Sequence, residues 1–245
     1  MEHITSLKNP KVAAWKALKD RKGRRESGCF LVEGRKMVEE ALASAFDVET
    51  VLVQEGMELP DGLTMPVYEL PEHVLTAVCD TKTPQGIAAV VRMKEQSALG
   101  KHIVVLDGVQ DPGNVGTILR TLDAFEADGL VLLPGCADPF SPKTVRSSMG
   151  AVFRRPVWTC TAETFAQVLR GSGLRLLGAA LRDDTVDARA ADYTRAVLAI
   201  GSEGRGLSDE VLALCDETVR IPMSPRCESL NAAVAASVLL WEAYR

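Results

Sequence analysis

Three stretches of this 245-residue chain place polar side chains directly after apolar runs. In "VLAIGSEGRGLS" (197–208), Val197, Leu198, Ala199 and Ile200 read as a buried strand, followed by Gly201, Gly204 and Gly206. Glycine loops after strands commonly cradle phosphate through bare backbone N–H groups. This loop instead carries a carboxylate, Glu203, and lacks the Lys-Ser/Thr that closes a phosphate loop. A fixed negative charge there opposes a pyrophosphate. In "LDGVQDPGNVGTILRT", Asp111-Pro112-Gly113-Asn114 reads as a turn and helix start, with Asn114 as a candidate cap. Gly116 stands four residues before Arg120, so a helix puts both on one face and leaves room beside the guanidinium. Taken alone, this segment reads equally well as an ordinary turn and a surface arginine. In "IPMSPRCESLNAAVAASVLLWE", Ser229 and Asn231 fall where a helix N-terminus offers unpaired N–H groups, and Ser229 taken alone reads as a cap.

The elements that must hold these stretches follow from patterning. Strand-like runs "HIVVLDGV", "GLVLLPG", "LRLLGAAL" and "VLAIG" alternate with helical segments and are apolar throughout. That pattern predicts an α/β domain with a parallel sheet covered on both faces, spanning 100–245. Each polar stretch follows a strand's carboxyl end, where open α/β sheets bind ligands. A smaller α/β domain over 1–94 is expected before it, joined through the polar segment "KEQSALG" (94–100). In that domain residues 9–20 read as a short basic helix and "DRKGRRESG" as an exposed turn. "FLVEGRKMVEEALAS" reads as a strand end and an amphipathic helix, with Met37, Val38, Ala41 and Leu42 on one face.

Composition bounds the class. With 47% hydrophobic and 25% charged residues the chain is of ordinary globular type. Neither a membrane-length apolar run nor a secretory leader pattern is found, so a cytoplasmic protein without membrane attachment is expected. The six cysteines (Cys29, Cys79, Cys136, Cys160, Cys215, Cys227) lack metal-ligand spacing and read as reduced thiols, so no metal is expected. The net charge is −5, yet residues 1–36 hold ten basic against four acidic side chains. Their net +6 leaves −11 on the rest of the chain, an asymmetry that suits either polyanion binding or a solvated helix face.

Taken in order, "NVGTILRTLDAF", "LAIGSEGRGLS" and "IPMSPRCESLNAAVAASVLLWE" resemble the three motifs of the SpoU/TrmH family. That family, within the SPOUT superfamily, comprises S-adenosylmethionine-dependent RNA ribose 2′-O-methyltransferases. "ITSLKNPKV", "FLVEGRKMVEEAL" and "TKTPQGIAAVV" are similar to the substrate-binding domain that often precedes the methyltransferase. The resemblance covers nearly the whole chain. It implies a C-terminal trefoil knot whose loops hold the cofactor, and a homodimer. It also implies a functional polar set of Asn114, Arg120, Glu203, Ser229 and Asn231, with Glu203 beside the first motif and fixing an arginine. Ile200, Gly201, Gly204, Ile221, Met223, Ser229 and Leu230 are the implied contacts to S-adenosyl-L-methionine. That cofactor carries a sulfonium rather than a phosphate, so Glu203 is no obstacle to it. Lys8, Lys11, Arg21, Lys22, Arg24, Arg25 and Arg35 are the expected grip on RNA phosphates, which position the RNA without reading it. In one departure, Ser224-Pro225-Arg226-Cys227 replaces the family's usual glycine-containing turn.

Methyl transfer to a ribose hydroxyl needs in-line orientation and a proton acceptor. The resemblance offers Arg120 as the base, but a guanidinium stays protonated. Either substrate phosphate and a dry site lower that barrier, or Arg120 positions phosphate and hydroxyl while another group takes the proton. Asn114 is expected to orient Arg120 or the ribose. Ribosomal RNA is the expected substrate; transfer RNA, and a non-catalytic RNA-binding role, are the alternatives. A nucleotide-binding dehydrogenase is disfavoured because GxGxxG is absent.

Overall fold

The computed structural model describes residues 1–94, 100–182, 184–224, 226–227 and 229–244. Linker residues 95–99, and Pro225 and Glu228 of the third stretch, lie outside the described residues. The chain divides into two compact units, Met1–Glu95 with Phe140–Phe153, and Gln96–Pro139 with Arg154–Arg245. The first unit therefore takes a segment from within the span expected for the second.

The first unit contains β1 (Glu2–His3), α1 (Pro10–Ala17), α2 (Arg21–Ser27), β2 (Cys29–Glu33), α3 (Arg35–Leu42), β3 (Val48–Gln54), β4 (Val67–Leu70), α4 (Glu72–Val78) and β5 (Ile87–Arg92). The strands form a mixed sheet in the order β1-β4-β3-β5-β2. Every residue of β2 is buried although it is the sheet's edge strand. An uncovered edge of that kind would leave apolar side chains in water. The 140–153 segment supplies the cover: Phe30 packs against Phe140 and Phe153 at centroid distances of 4.8 and 6.2 Å, and Phe46 meets Phe153 at 5.5 Å. The expected face of α3 is buried at Met37, Val38 and Ala41.

"DRKGRRESG" is not a turn. It forms α2, closed by Gly28 in the left-handed conformation. Gly23 owes its identity to packing, since a Cβ there would lie 2.1 Å from the Ala17 carbonyl oxygen. Arg24 is only 3% exposed, and its Nη1 donates to the carbonyls of Leu18 and Lys19 at 2.7 and 2.8 Å. It satisfies the C-terminal end of α1 and is removed from the expected RNA-facing set. Lys8, Lys11, Arg21, Lys22 and Arg25 are exposed, and Arg35 is half-buried. Lys11 is engaged within the unit, donating to Glu2 and to the Tyr68 hydroxyl, both at 2.8 Å.

The second unit, with the 140–153 segment noted above, continues the chain as β6 (Ile103–Asp107), α5 (Pro112–Ala124), β7 (Gly129–Leu132), α6 (Pro142–Ser148), α7 (Ala151–Arg154), β8 (Val157–Thr159), α8 (Ala162–Ser172), β9 (Arg175–Ala179), β10 (Val186–Asp187), β11 (Ala196–Gly201), α9 (Asp209–Leu212), β12 (Glu217–Arg220) and α10 (Ala232–Tyr244). Its seven strands are all parallel, in the order β10-β12-β9-β11-β6-β7-β8, as the unbroken apolar runs predict. The chain runs outward from β6 to β8 and then returns to the other side of β11. That reversal puts a switch point between β11 and β6. Gly201 pairs with Asp107 in register, so the loops leaving these two strands start at the same level.

Candidate active site

The loop after β11 folds back on itself. Ser202 and Gly206 exchange both backbone hydrogen bonds, at 3.1 and 2.9 Å. Gly206 takes a positive φ of 68°, and a Cβ on Gly201 would stand 2.0 Å from the Gly206 carbonyl carbon. The close approach demanded of Gly201 is thus to its own loop. Around Gly204 a Cβ would meet nothing within 4 Å. The hairpin carries Glu203 at its exposed tip, and the Ser208 N–H donates to Asp107 Oδ2 at 2.7 Å, tying its exit to the end of β6.

On the neighbouring strand the cap of α5 is Asp111 rather than the expected Asn114. Asp111 Oδ1 accepts from the Asn114 N–H at 3.0 Å, with Pro112 in the first turn. The Asn114 side chain is therefore released for other work. Its Nδ2 donates to Glu203 Oε1, and its Oδ1 accepts from Asn231 Nδ2 at 3.1 Å. Asn231 in turn caps α10: its Oδ1 accepts from the N–H groups of Ala233 and Val234 at 2.9 and 3.3 Å. A single chain of donors thus runs from helix N–H groups through two amides to one carboxylate. Its polarity fixes the orientation of both amides, since reversing either would set donor against donor.

Three of the five expected polar residues are brought together this way, one from each sequence stretch. Glu203 has the Asn114 amide as its partner where an arginine was expected. Arg120, six residues along α5, is exposed and makes no hydrogen bond or ion pair among the described residues. Ser229 is exposed, and α10 begins three residues later.

Behind the hairpin lies a cavity of about 390 Å³ walled by the loops after β9, β11 and β12 and by the start of α10. Ile200, Gly201, Ile221, Met223, Ser229 and Leu230 of the expected cofactor set line it, and Gly204 does not. Sequence reasoning missed the Ala179–Arg182 loop, Arg205, and the Ala232, Ala235 and Leu239 face of α10. Only the placement of β9 beside β11 reveals that loop, whereas the small residues of α10 were visible but unassigned. Apolar walls with Arg182, Arg205 and Arg220 at the margin suit an adenosine and a carboxylate-bearing amino acid tail. The donor set fits S-adenosylmethionine without anion attraction at Glu203.

Residues 101–241 match the SpoU rRNA Methylase family, and residues 9–89 match the MRM3-like substrate binding domain. The chain belongs to the SpoU rRNA methylase family. It is 38% identical over 244 residues, 98% of both chains, to the 23S rRNA (guanosine(2553)-2′-O)-methyltransferase RlmP of Bacillus subtilis. An AdoMet-bound rRNA methyltransferase from Sinorhizobium meliloti superposes with a TM-score of 0.90 at 33% identity, covering 99% of this chain and 97% of that one. The SpoU methyltransferase AviRb from Streptomyces viridochromogenes, in complex with AdoMet, gives 0.88 at 31%, covering 97% and 98%. S-adenosylmethionine is the cofactor of this SpoU family, and the hydrogen-bonded chain of Asn231, Asn114 and Glu203 stands beside the cavity that fits it.

Proposed function

We propose that this SpoU methylase transfers a methyl group from S-adenosylmethionine to a ribose 2′-hydroxyl of ribosomal RNA. The observation that carries the reading is the Asn231–Asn114–Glu203 hydrogen-bond chain, which joins all three motif stretches at the edge of the 390 Å³ cavity. Relatives named for 23S rRNA favour ribosomal over transfer RNA. When bound, the cofactor supplies a methyl already activated on a sulfonium. The protein's own work is then orientation, with the proton of the attacking 2′-hydroxyl released to water. Ile200, Ile221, Met223 and Leu230 exclude water from the donor, and Ser229 lines the same wall. Asn114 and Asn231 hold the Glu203 hairpin in one position against α5 and α10. Arg120, whose guanidinium makes no hydrogen bond or ion pair among the described residues, positions the acceptor's phosphate and hydroxyl. A permanently charged guanidinium donates hydrogen bonds and does not serve as the base in its resting state.

Lys8, Arg21, Lys22 and Arg25 form the electrostatic grip on RNA, with Lys11 and Arg35 partly committed within their own unit. The cofactor loops belong to a C-terminal trefoil knot. Support comes from the sheet order, in which β12 lies beyond β9 while α10 returns to pack on α5 and β11. A homodimer is supported by the apolar surface of α10, where Val234, Trp241 and Tyr244 are exposed. Six free cysteines accord with a cytoplasmic setting.

Calorimetric titration tests the donor assignment. Heat is expected with S-adenosylmethionine and with its demethylated product, and none with NAD. Heat with NAD alone would overturn the reading.

A further inference from the structure

Asp123, in the last turn of α5, is the meeting point of two guanidiniums. Arg155 donates Nε to Oδ1 at 2.8 Å, and its Nη groups reach the carbonyls of Ala127 and Asp123 at 3.2 and 3.4 Å. It closes the end of the helix, where carbonyls lack partners and cations are favoured. Arg154 brings a second cation to the same carboxylate, Nε to Oδ2 at 2.8 Å, with its side chain 41% exposed against 24% for Arg155. Burial pushes the Asp123 carboxyl up, but the hydrogen bonds from Arg155 and Arg154 outweigh it and hold it below the usual carboxylate range. Asp123 is thus ionised and already matched by Arg155. The next acids along the chain are Glu126, exposed beyond the helix end, and Asp128, whose Oδ2 accepts from the N–H groups of Lys101 and His102 at 2.6 and 2.7 Å. Arg120, Arg154 and Arg155 therefore stand against Asp123 and Glu126, a surplus of positive charge.

Residues three apart on a helix are surface neighbours, so Arg120 and Asp123 share one flank of α5, and Asp123 holds Arg154 on that flank. Thr117 and Ala124, one turn to either side of Arg120, are exposed and short, so neither screens its guanidinium. The helix α10 packs along a different flank, with Thr121 on Ser237 at 3.2 Å and Phe125 on Trp241 at 5.9 Å. We infer that Arg154 continues the phosphate-binding line that starts at Arg120, taking the phosphate of the acceptor strand next to the one on Arg120. This rests on the reading of Arg120 in methyl transfer given above. Five donors on one planar group allow an arginine to hold a carboxylate and a phosphate together. Asp123 sets the plane of the Arg154 guanidinium through Nε, so less ordering entropy is lost when a phosphate arrives. Contacts of this kind fix the register of an RNA without reading its bases. The surface thus adds affinity and placement beside Arg120, in the unit that carries the donor cavity.

The test measures the affinity of the full chain, saturated with S-adenosylhomocysteine, for ribosomal RNA lacking the modification over a potassium chloride series. Calorimetry of S-adenosylhomocysteine on the same samples reports the fold and the donor site. Arg154→Ala is expected to weaken RNA binding about three- to tenfold at low salt. The plot of log affinity against log salt should become shallower by about 0.7, one phosphate contact on a single strand. Arg154→Lys should keep the slope, because the charge remains. Asp123→Asn should act in the opposite direction and tighten RNA binding, since it removes a negative charge from the same surface. An ion pair that serves only the fold would make Arg154→Ala and Asp123→Asn weaken binding alike. That result, or an unchanged slope in Arg154→Ala, would overturn the inference and leave the methyl-transfer reading in place. A shift of Arg154→Ala from dimer to monomer in sedimentation would assign the surface to a second copy of the chain and overturn it as well. If Arg154→Ala loses the S-adenosylhomocysteine heat, Arg154→Gln, which still has an N–H to donate to Asp123, carries the same expectation. No heat with the wild type would overturn the methyl-transfer reading and this inference with it.

Discussion

Glu203 and Asn114 are 89 residues apart, yet they meet because Gly201 and Asp107 sit opposite one another on neighbouring parallel strands. The residue types were legible in the three stretches, but the pairing was not, because spacing within a motif carries no information about strand register. The polarity of the chain yields a reciprocal test. Asn114→Asp sets two carboxylates face to face and is expected to cost about 1–2 kcal/mol, discounted for exposure. Adding Glu203→Gln restores a donor opposite an acceptor, so the double variant should recover most of the loss in urea denaturation. Strict additivity of the two changes would mean that the contact does not form in solution. Arg120→Ala should leave donor binding intact while slowing single-turnover transfer by about a hundredfold or more. Arg120→Lys should rescue little, because an ammonium cannot reproduce the planar fork. A near-wild-type rate for Arg120→Ala would reduce Arg120 to a binding residue.

At the scale of elements, the sequence misled where glycine served packing rather than turning. Gly23 sits inside α2 so that this helix can close against the Ala17 carbonyl, and Arg24 is thereby carried inward. Arg24→Ala is expected to destabilise the first unit by about 1–3 kcal/mol, since the Leu18 and Lys19 carbonyls that follow α1 lose their donor. Lys22→Glu with Arg25→Glu should instead leave stability nearly unchanged, weaken RNA binding and flatten its salt dependence. Equal salt slopes for wild type and the double variant would show that this face does not touch phosphate. The third stretch is more legible: its pattern puts Ser229 and Asn231 at a helix start, and Asn231 proves to be the cap. On α10, Trp241 is 53% exposed while resting its ring on Phe125 at 5.9 Å. Val234→Glu with Trp241→Glu is expected to shift sedimentation from dimer to monomer at micromolar concentration. A wild-type protein that already sediments as a monomer would remove the dimer from the account.

For the whole molecule, the alternation of apolar strands and helices made the parallel sheet legible. The recruitment of 140–153 by the first unit was not, because four phenylalanines scattered between positions 30 and 153 give no periodic signal. Phe153→Ala should therefore destabilise the first unit by about 3–5 kcal/mol. The outcome is read as earlier hydrogen exchange in β2 with β11 unaffected. The most direct test of the central claim is methyl transfer itself. The purified protein is incubated with methyl-labelled S-adenosylmethionine and ribosomal RNA lacking the modification, and the product is hydrolysed in alkali. A ribose 2′-O-methyl group blocks cleavage at its own linkage, so the account predicts label in an alkali-resistant dinucleotide, lost with Arg120→Ala. Label recovered only in alkali-labile mononucleotides, as base methylation would give, or no label in the RNA at all, would contradict it.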